Sequence, residues 1–270
     1  MEDKASSRNG DPSLVPAVAR ASAILTELSA AHGVPMSIGE LSRRLELPKS
    51  STANLCLALE AERLLVRHDA GYLLGRRLVE LGGAYLETID QVGEFYRSCR
   101  EQPTISRMTA RAAVLDGLDV LYLARYDGAQ PIRMTANIGD RFPAHCAATG
   151  KALLAEVSPA VLQERLRNVD RLVALTPRSV TDPADLLVEL DTVRRRGYAT
   201  DEEEVTPGVS CIAIAVPSAT AGGDAFAISV TTAASGLNTA MRERLLVELR
   251  AVAAALQNPL VPEFVRNPQP

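Results

Sequence analysis

The sequence predicts an α+β protein in two parts: a helical N-terminal segment closed by a small β-hairpin, then a larger α/β segment. Three observations predict it. Apolar residues recur at helical spacing from Val18 to Leu59. Two short apolar runs flank Asp69-Ala70-Gly71. Beyond Val114, strand-like runs alternate with stretches that carry helix start and stop signals.

The first helix follows from Val18, Ala21, Leu25 and Leu28, with Ile24 adjacent, and Gly33-Val34-Pro35 breaks it. Ser37 opens a second helix, with Glu40 three residues on in a capping-box pattern. Ile38, Leu41 and Leu45 face inward, and Leu47-Pro48 closes that helix because a residue before proline resists the α region. A third helix is expected from about Lys49 to Arg63, with Leu55 and Leu59 on its inner face beside Cys56.

The start of the third helix holds Lys49, Ser50, Ser51, Thr52, Ala53 and Asn54. In a helix–turn–helix this end of the second helix of the pair enters the DNA major groove. Hydroxyls and exposed helix N–H groups suit phosphate, and an asparagine amide suits adenine. The runs Leu64–His68 and Tyr72–Gly75 read as a wing, which places Arg67, Arg76 and Arg77 near backbone phosphates, with Ser37 at the start of the helix pair. Leu78, Leu81, Tyr85, Ile89 and Val92 then recur close to every 3.5 residues, the seam expected of a helix that packs on another helix, as in a contact between two subunits. Paired recognition helices would read a two-fold double-stranded DNA operator.

Composition bounds this reading. The 270 residues are enough for one large domain or two ordinary ones, and a hydrophobic content of 47% supports a core. The net charge of −4 disfavours a uniformly basic surface, but it is unevenly spread: Leu14 to Glu80 is net +1. No apolar run is long enough to span a membrane, and the polar start MEDKASSRNGDP lacks the apolar core of an export signal. The four cysteines are scattered without a CxxC pair, which fits a reducing cytoplasm. The expected organisation is an arm at 1–13, a winged helix–turn–helix at 14–75, a linker helix at 76–96, an α/β domain at 97–258 and a tail at 259–270.

In the α/β domain, strands are expected near Val114–Leu115, Val120–Tyr126, Ile132–Ile138, Tyr198–Thr200, Cys211–Val216 and Ala225–Thr232. Helices are expected at about Gly150–Glu156, from Ser158-Pro159, from Asp182-Pro183 to Gly197, and over Leu237–Leu256. By two-residue alternation Cys211, Ala213 and Ala215 share one strand face, and Ser229 and Thr231 share a face of another. With Asp201 and the small residues Ala148–Gly150 at a helix start, these could line a polar pocket.

Taken together, PAVARASAILTELS, PKSSTANLCLALE, YLLGRRLVELG, FPAHCAATGKALLA, RGYATDEEEVTPGVSCIAIAVP and AFAISVTT resemble the IclR family of bacterial transcription regulators from Pro16 to Leu256. The resemblance implies a winged helix followed by a GAF-like effector domain, a homodimer or dimer of dimers, and repression of a catabolic or metabolic operon. It implies a small organic, sometimes aromatic, acid as effector and no cofactor. By position it assigns the effector to Ala148, Thr149, Gly150, Asp201, Cys211, Ser229 and Thr231, with Met134 and Phe142 as apolar wall. The family often has arginine where Asn54 stands and an aromatic or histidine where Ala53 stands.

The competing class is a thiol enzyme using Cys146 beside His145, or Cys211 with Asp201; a further alternative sets Asp201, Cys211 and His145 around zinc. A catalytic thiol needs a positioned base and an electropositive setting.

Overall fold

A computed structural model describes residues 15–87, 90–132, 136–217 and 225–257, so the arm and tail expected at 1–13 and 259–270 lie outside the described residues. The chain divides into two compact units, 1–88 and 89–270.

In the first unit, α1 spans Pro16–Ala30, α2 Ile38–Arg44 and α3 Lys49–Ala61. Strands β1 (Leu65–His68) and β2 (Gly71–Leu74) form an antiparallel hairpin. The capping box is present: Ser37 Oγ accepts from Glu40 N–H at 3.2 Å, and Glu40 Oε2 accepts from Ser37 N–H at 2.9 Å. Ile24, Leu28, Leu41, Cys56, Leu59, Leu65 and Tyr72 form the core, and a bridge between Met36 and Tyr72 ties the turn before α2 to the hairpin. The α1 stripe turns on Ile24 and Leu28; Val18, expected to face inward, is exposed. The inner face of α3 is Thr52, Cys56 and Leu59, so Leu55 is only half-buried.

Within the linker expected over 76–96, helix α4 (Arg77–Glu87) falls in the first unit and α5 (Asp90–Glu101) in the second, and residues 88 and 89 between them lie outside the described residues. Phe95 and Cys99 of α5 are buried, and Tyr96 Oη accepts from Arg125 N–H at 3.3 Å. On α4, Leu81 and Tyr85 of the expected seam are exposed, as is Val79.

The second unit is built on one antiparallel sheet. Strands β3 (Thr109–Asp116), β4 (Asp119–Asp127), β5 (Arg141–Pro143), β6 (Ala199–Glu202), β7 (Val209–Val216) and β8 (Phe226–Ala233) stand in the order β5-β4-β3-β8-β7-β6. Of the strand expected over Ile132–Ile138, residues 133–135 lie outside the described residues; 132 and 136–138 are irregular, and an edge strand forms at Arg141–Pro143. Helix α6 (Ala148–Glu156) lies across the sheet with α8 (Pro183–Arg196) against it, and α7 (Pro159–Leu166) follows α6. Helices α5 and α9 (Thr239–Leu256) pack together and also contact the sheet. The predicted caps hold: Ser158 and Asp182 accept from Val161 and Ala184 N–H, and Gly197 ends α8 at φ 74°. The last helix starts two residues later than expected because Asn238 caps it.

The closeness of α6 to the sheet has a sequence cause. Beneath it the strands present Ala113, Ala199, Ala213 and Ala227. Gly150 sits where a Cβ would lie 2.1 Å from the Ala144 carbonyl oxygen. Gly150→Ala is expected to destabilise the domain by about 1–3 kcal/mol through overpacking. Gly93→Ala, at an exposed position of α5 with open space around it, is expected to stabilise by about 0.5–1 kcal/mol. Denaturant melts of the two variants beside the parent check both signs.

Candidate ligand cavity and nucleic-acid interface

The sheet register assembles a polar surface that strand periodicity alone leaves in pieces. Cys211 pairs with Thr231 and Ala213 with Ser229, so the two small-residue faces become one. Asp201 pairs with Cys211, and Arg111 with Ser229, which extends that face from β6 to β3. A cavity of about 220 Å³ opens over it, bounded by the start of α6 and the loop after β6.

Of the residues expected at this site, Phe142, Ala148, Thr149, Asp201, Cys211 and Ser229 line the cavity. Gly150 and Thr231 do not. Gly150 is turned onto Ala144 and serves the packing of α6. Thr231 lies below the lining, its hydroxyl accepting from Arg111 Nη1 at 2.6 Å and standing 3.4 Å from Cys211 Sγ. Met134 lies outside the described residues.

Sequence reasoning missed Arg111, Tyr122, Asp140, Val205, Thr206 and Val209, which also line it. Tyr122 is placed there by an irregularity: Ala112 pairs with Ala124 but Ala113 with Tyr122, so Leu123 is an extra residue. Such a bulge re-aims side chains, and simple alternation does not foresee it. Arg111 did leave a signal, as the one charge inside the otherwise uncharged run TARAAVL.

The electrostatics of the cavity are bipolar. Arg111 is only 3% exposed. It donates Nε–H to the Ala136 carbonyl at 3.1 Å and lies over the Tyr122 ring at 5.8 Å. Burial holds its pKa below the usual arginine value. At the other end, Asp201 accepts from the N–H groups of Glu204 at 2.7 Å and Val205 at 3.3 Å. Burial nevertheless pushes the Asp201 carboxyl up to about 6. Between them, Tyr122 Oη lies 3.3 Å from Thr149 Oγ1, and Tyr122 meets Phe142 edge-on with ring centroids 6.0 Å apart.

Behind the cavity, α6 carries a fully buried lysine. Lys151 Nζ contacts Glu189 Oε1 at 2.6 Å and Glu204 Oε1 at 2.5 Å. Burial opposes the Lys151 charge, but Glu204 and Glu189 outweigh it and hold its pKa above the usual value. Burial pushes Glu204 up to about 7 against the pull of Lys151. Glu204 Oε2 is buried with no hydrogen-bond partner, which is consistent with a carboxyl that readily takes a proton.

Neither thiol is activated. Burial raises Cys146 and pushes Cys211 up to about 12, so neither is a thiolate at neutral pH. His145 Nε2 is engaged with the Val173 carbonyl at 2.8 Å, the same oxygen that Cys146 Sγ approaches at 3.7 Å.

In the first unit, Lys49, Ser50 and Asn54 are exposed on α3, and Ser51 and Ala53 are half-buried beside them. Pro48 precedes the helix without a side-chain cap, leaving its first turn open to an anion. Thr52 is corrected: it is fully buried in line with Cys56 and Leu59, and its hydroxyl donates to the Pro48 carbonyl at 3.2 Å. Ser37 has its hydroxyl committed to Glu40. Arg67 is exposed on the hairpin with its guanidinium 5.6 Å from the Tyr72 ring centre, and Arg76 is exposed after it. Arg77 is tied to Glu62 by an ion pair of 2.6 Å and a bond to its carbonyl at 3.1 Å.

A helix–turn–helix with a hairpin, followed by this cavity-bearing sheet, matches known families over both parts. Residues 99–258 match the bacterial transcriptional regulator IclR C-terminal domain, and residues 17–69 match the IclR helix-turn-helix domain. The chain belongs to the IclR family. It is a ligand-responsive, DNA-binding transcriptional regulator. The HTH-type transcriptional regulator BhcR of Paracoccus denitrificans is 32% identical over 73% of this chain and 70% of that protein. The HTH-type transcriptional repressor AllR of Escherichia coli is 29% identical over 74% of each. The crystal structure of an IclR transcriptional regulator from Alicyclobacillus acidocaldarius superposes with a TM-score of 0.78 at 27% identity, covering 90% of this chain and 98% of that one. Among the described residues of this IclR-family chain, no helix is long and apolar enough to cross a membrane.

The raised carboxyls fix the sign of a pH effect. Glu204 titrates near 7 when folded against an ordinary 4.5, so between those values the folded state holds more protons than the unfolded one. Stability therefore falls as pH rises through that window, and Asp201 adds to the fall between 3.8 and about 6. Glu204→Gln, which cannot ionise, is expected to shrink the drop in melting temperature between about pH 5 and about pH 8. An undiminished drop would place the titration elsewhere.

Proposed function

We propose that this regulator is a repressor that acts as a homodimer in the cytoplasm and loses or gains operator affinity when a small organic acid occupies the sheet cavity. The carrying observation is the cavity itself, enclosed by α6 and the sheet and lined by both apolar and hydrogen-bonding groups. The repressor reading is supported by the likeness to AllR. The homodimer is supported by the exposed apolar side chains Val79, Leu81 and Tyr85 on α4. A regulator rather than a thiol enzyme is supported by buried, protonated cysteines.

For DNA, Lys49, Ser50, Ser51 and the first-turn N–H groups of α3 take phosphates, Ala53 and Asn54 meet base edges, and Arg67 and Arg76 hold the flanking backbone. Ser37 and Arg77 act one step back, by fixing α2 and by joining the end of α3 to the start of α4. For the effector, only unequal affinity for two arrangements of the protein can change operator binding, and a coupling of about 1–3 kcal/mol gives roughly a 5- to 150-fold change.

Selection from a random duplex pool defines the operator, and mobility shifts on it with a panel of small acids test the regulation. The expected result is an acid that moves operator affinity within the range above; cavity-bound acids that leave it unchanged would refute the effector reading. On the same operator, Asn54→Ala is expected to relax preference at one position by about 1–3 kcal/mol, whereas Arg76→Ala weakens binding to all sequences and lowers the salt slope by about one. Uniform loss for Asn54→Ala would remove its base-reading role.

A further inference from the structure

We propose that the second unit carries another small-molecule site, on the face of the sheet turned away from the cavity described above, and that it takes an α-amino acid, with the carboxylate at Arg242 and Ser210 and the ammonium at Glu202. The proposal makes no use of the effector reading.

The strand register places this site. Glu202 pairs with Ser210, and Ser210 with Thr232, one residue along from the row Asp201, Cys211 and Thr231. Alternation along a strand turns the two rows to opposite faces. On the far face lies a cleft of about 140 Å³, whose lining includes Arg178, Glu202, Glu203, Ser210, Leu237 and Arg242. Arg242 comes from the second turn of α9, which packs over β7.

Two donors at this cleft are unused by the fold. Ser210 is only 3% exposed, yet its hydroxyl forms no hydrogen bond among the described residues. Arg242 Nε is shielded from solvent and also has no partner. The guanidinium of Arg242 is held by Glu202 alone, Nη2 to Oε1 at 3.4 Å, which is long for a charge-assisted hydrogen bond. A buried donor without an acceptor is costly. A hydroxyl beside an unfilled guanidinium edge suits a carboxylate, which accepts from both.

The acidic side of the cleft is equally selective. Glu203 is already engaged: Oε2 accepts from Gly208 N–H at 2.8 Å, and Oε1 lies 3.6 Å from Arg178 Nε. The Glu202 carboxylate meets only Arg242 among the described residues and is exposed, so it retains room for a donor. With two arginines and two glutamates the lining is neutral overall, which disfavours a simple anion or cation and favours a ligand that carries both charges. Arg242 and Glu202 stand close together, so the two charges of the ligand must be close as well. A carboxylate and an ammonium on one carbon meet both residues, and they enter an exposed ion pair that contributes little by itself. At roughly 30 Å³ for each water-sized group, the cleft holds about five non-hydrogen atoms, the main-chain part of an amino acid, with its side chain toward solvent.

The test is isothermal titration of the full chain with glycine, L-alanine and L-serine, each beside its methyl ester and its N-acetyl derivative, with 6-aminohexanoate as the acid whose charges are far apart. Because the site reads main-chain groups, all three amino acids are expected to bind, at least about tenfold more tightly than their derivatives and 6-aminohexanoate. Ser210→Ala removes a hydroxyl that the fold does not use, so the melting temperature is expected to hold while binding weakens several-fold. Arg242→Gln is expected to abolish the preference for acid over ester, Arg242→Lys to retain part of it, and Glu202→Gln to abolish the preference for free over acetylated amine. Ser229→Ala, in the cavity on the other face, is expected to leave binding unchanged. Three results would each overturn the proposal: no binding of the three amino acids to the folded parent, esters or N-acetyl derivatives that bind as well, or binding lost in Ser229→Ala but kept in Arg242→Gln. Small acids that fail to move operator affinity would refute the effector reading and leave this site standing.

Discussion

The close approach of α6 to the sheet is the constraint on which the effector domain depends. A helix can lie that near only over alanines and with a glycine at its tightest point, which is what Ala113, Ala199, Ala213, Ala227 and Gly150 provide. The same approach has two consequences. It leaves a cavity beside the helix start, where Ala148 and Thr149 face Arg111, Ser229, Cys211 and Asp201. It also seals Lys151, one turn along, so that its charge must be matched by Glu189 and Glu204 inside the protein. Buried ion pairs contribute little net stability, because desolvating the charges offsets their attraction, but removing one partner is costly. The cluster therefore fixes the position of α6 more than it strengthens the fold.

That fixing connects the cavity to its surroundings. Glu204 donates its backbone N–H to Asp201 while its carboxylate holds Lys151, so the loop after β6 touches both the ligand site and the helix above it. A ligand that pulls on Asp201 pulls on this loop, and through Lys151 on α6. Proton uptake by Glu204 acts on the same elements from the opposite side.

Much of this was legible in the sequence, and unevenly so. Local signals carried well: the Ser37–Glu40 box, the Asp182-Pro183 start and the Gly197 end are set within a few residues and survive folding. The pocket residues Ser229, Cys211 and Asp201 were readable as faces of single strands, but only the register joins them. Three things were not legible. The Leu123 bulge that turns Tyr122 inward depends on strand pairing, not on local pattern. The burial of Phe95 and Cys99 follows from the packing of α5 on α9 and the sheet, contacts made far along the chain. Thr52 looked like one more polar residue at a recognition helix start, yet its position four residues before Cys56 puts it in the core.

The central claim is that ligand binding acts at the junction of α6, the sheet and the loop after β6. Hydrogen–deuterium exchange of the full chain, with and without the acid that binds best, measures this directly. The account predicts slowed exchange concentrated in 141–151 and 201–211. Slowed exchange confined to other segments, such as the cleft at Arg178 and Arg242 beyond the opposite face of β6 and β7, with 141–151 and 201–211 unchanged, would contradict it.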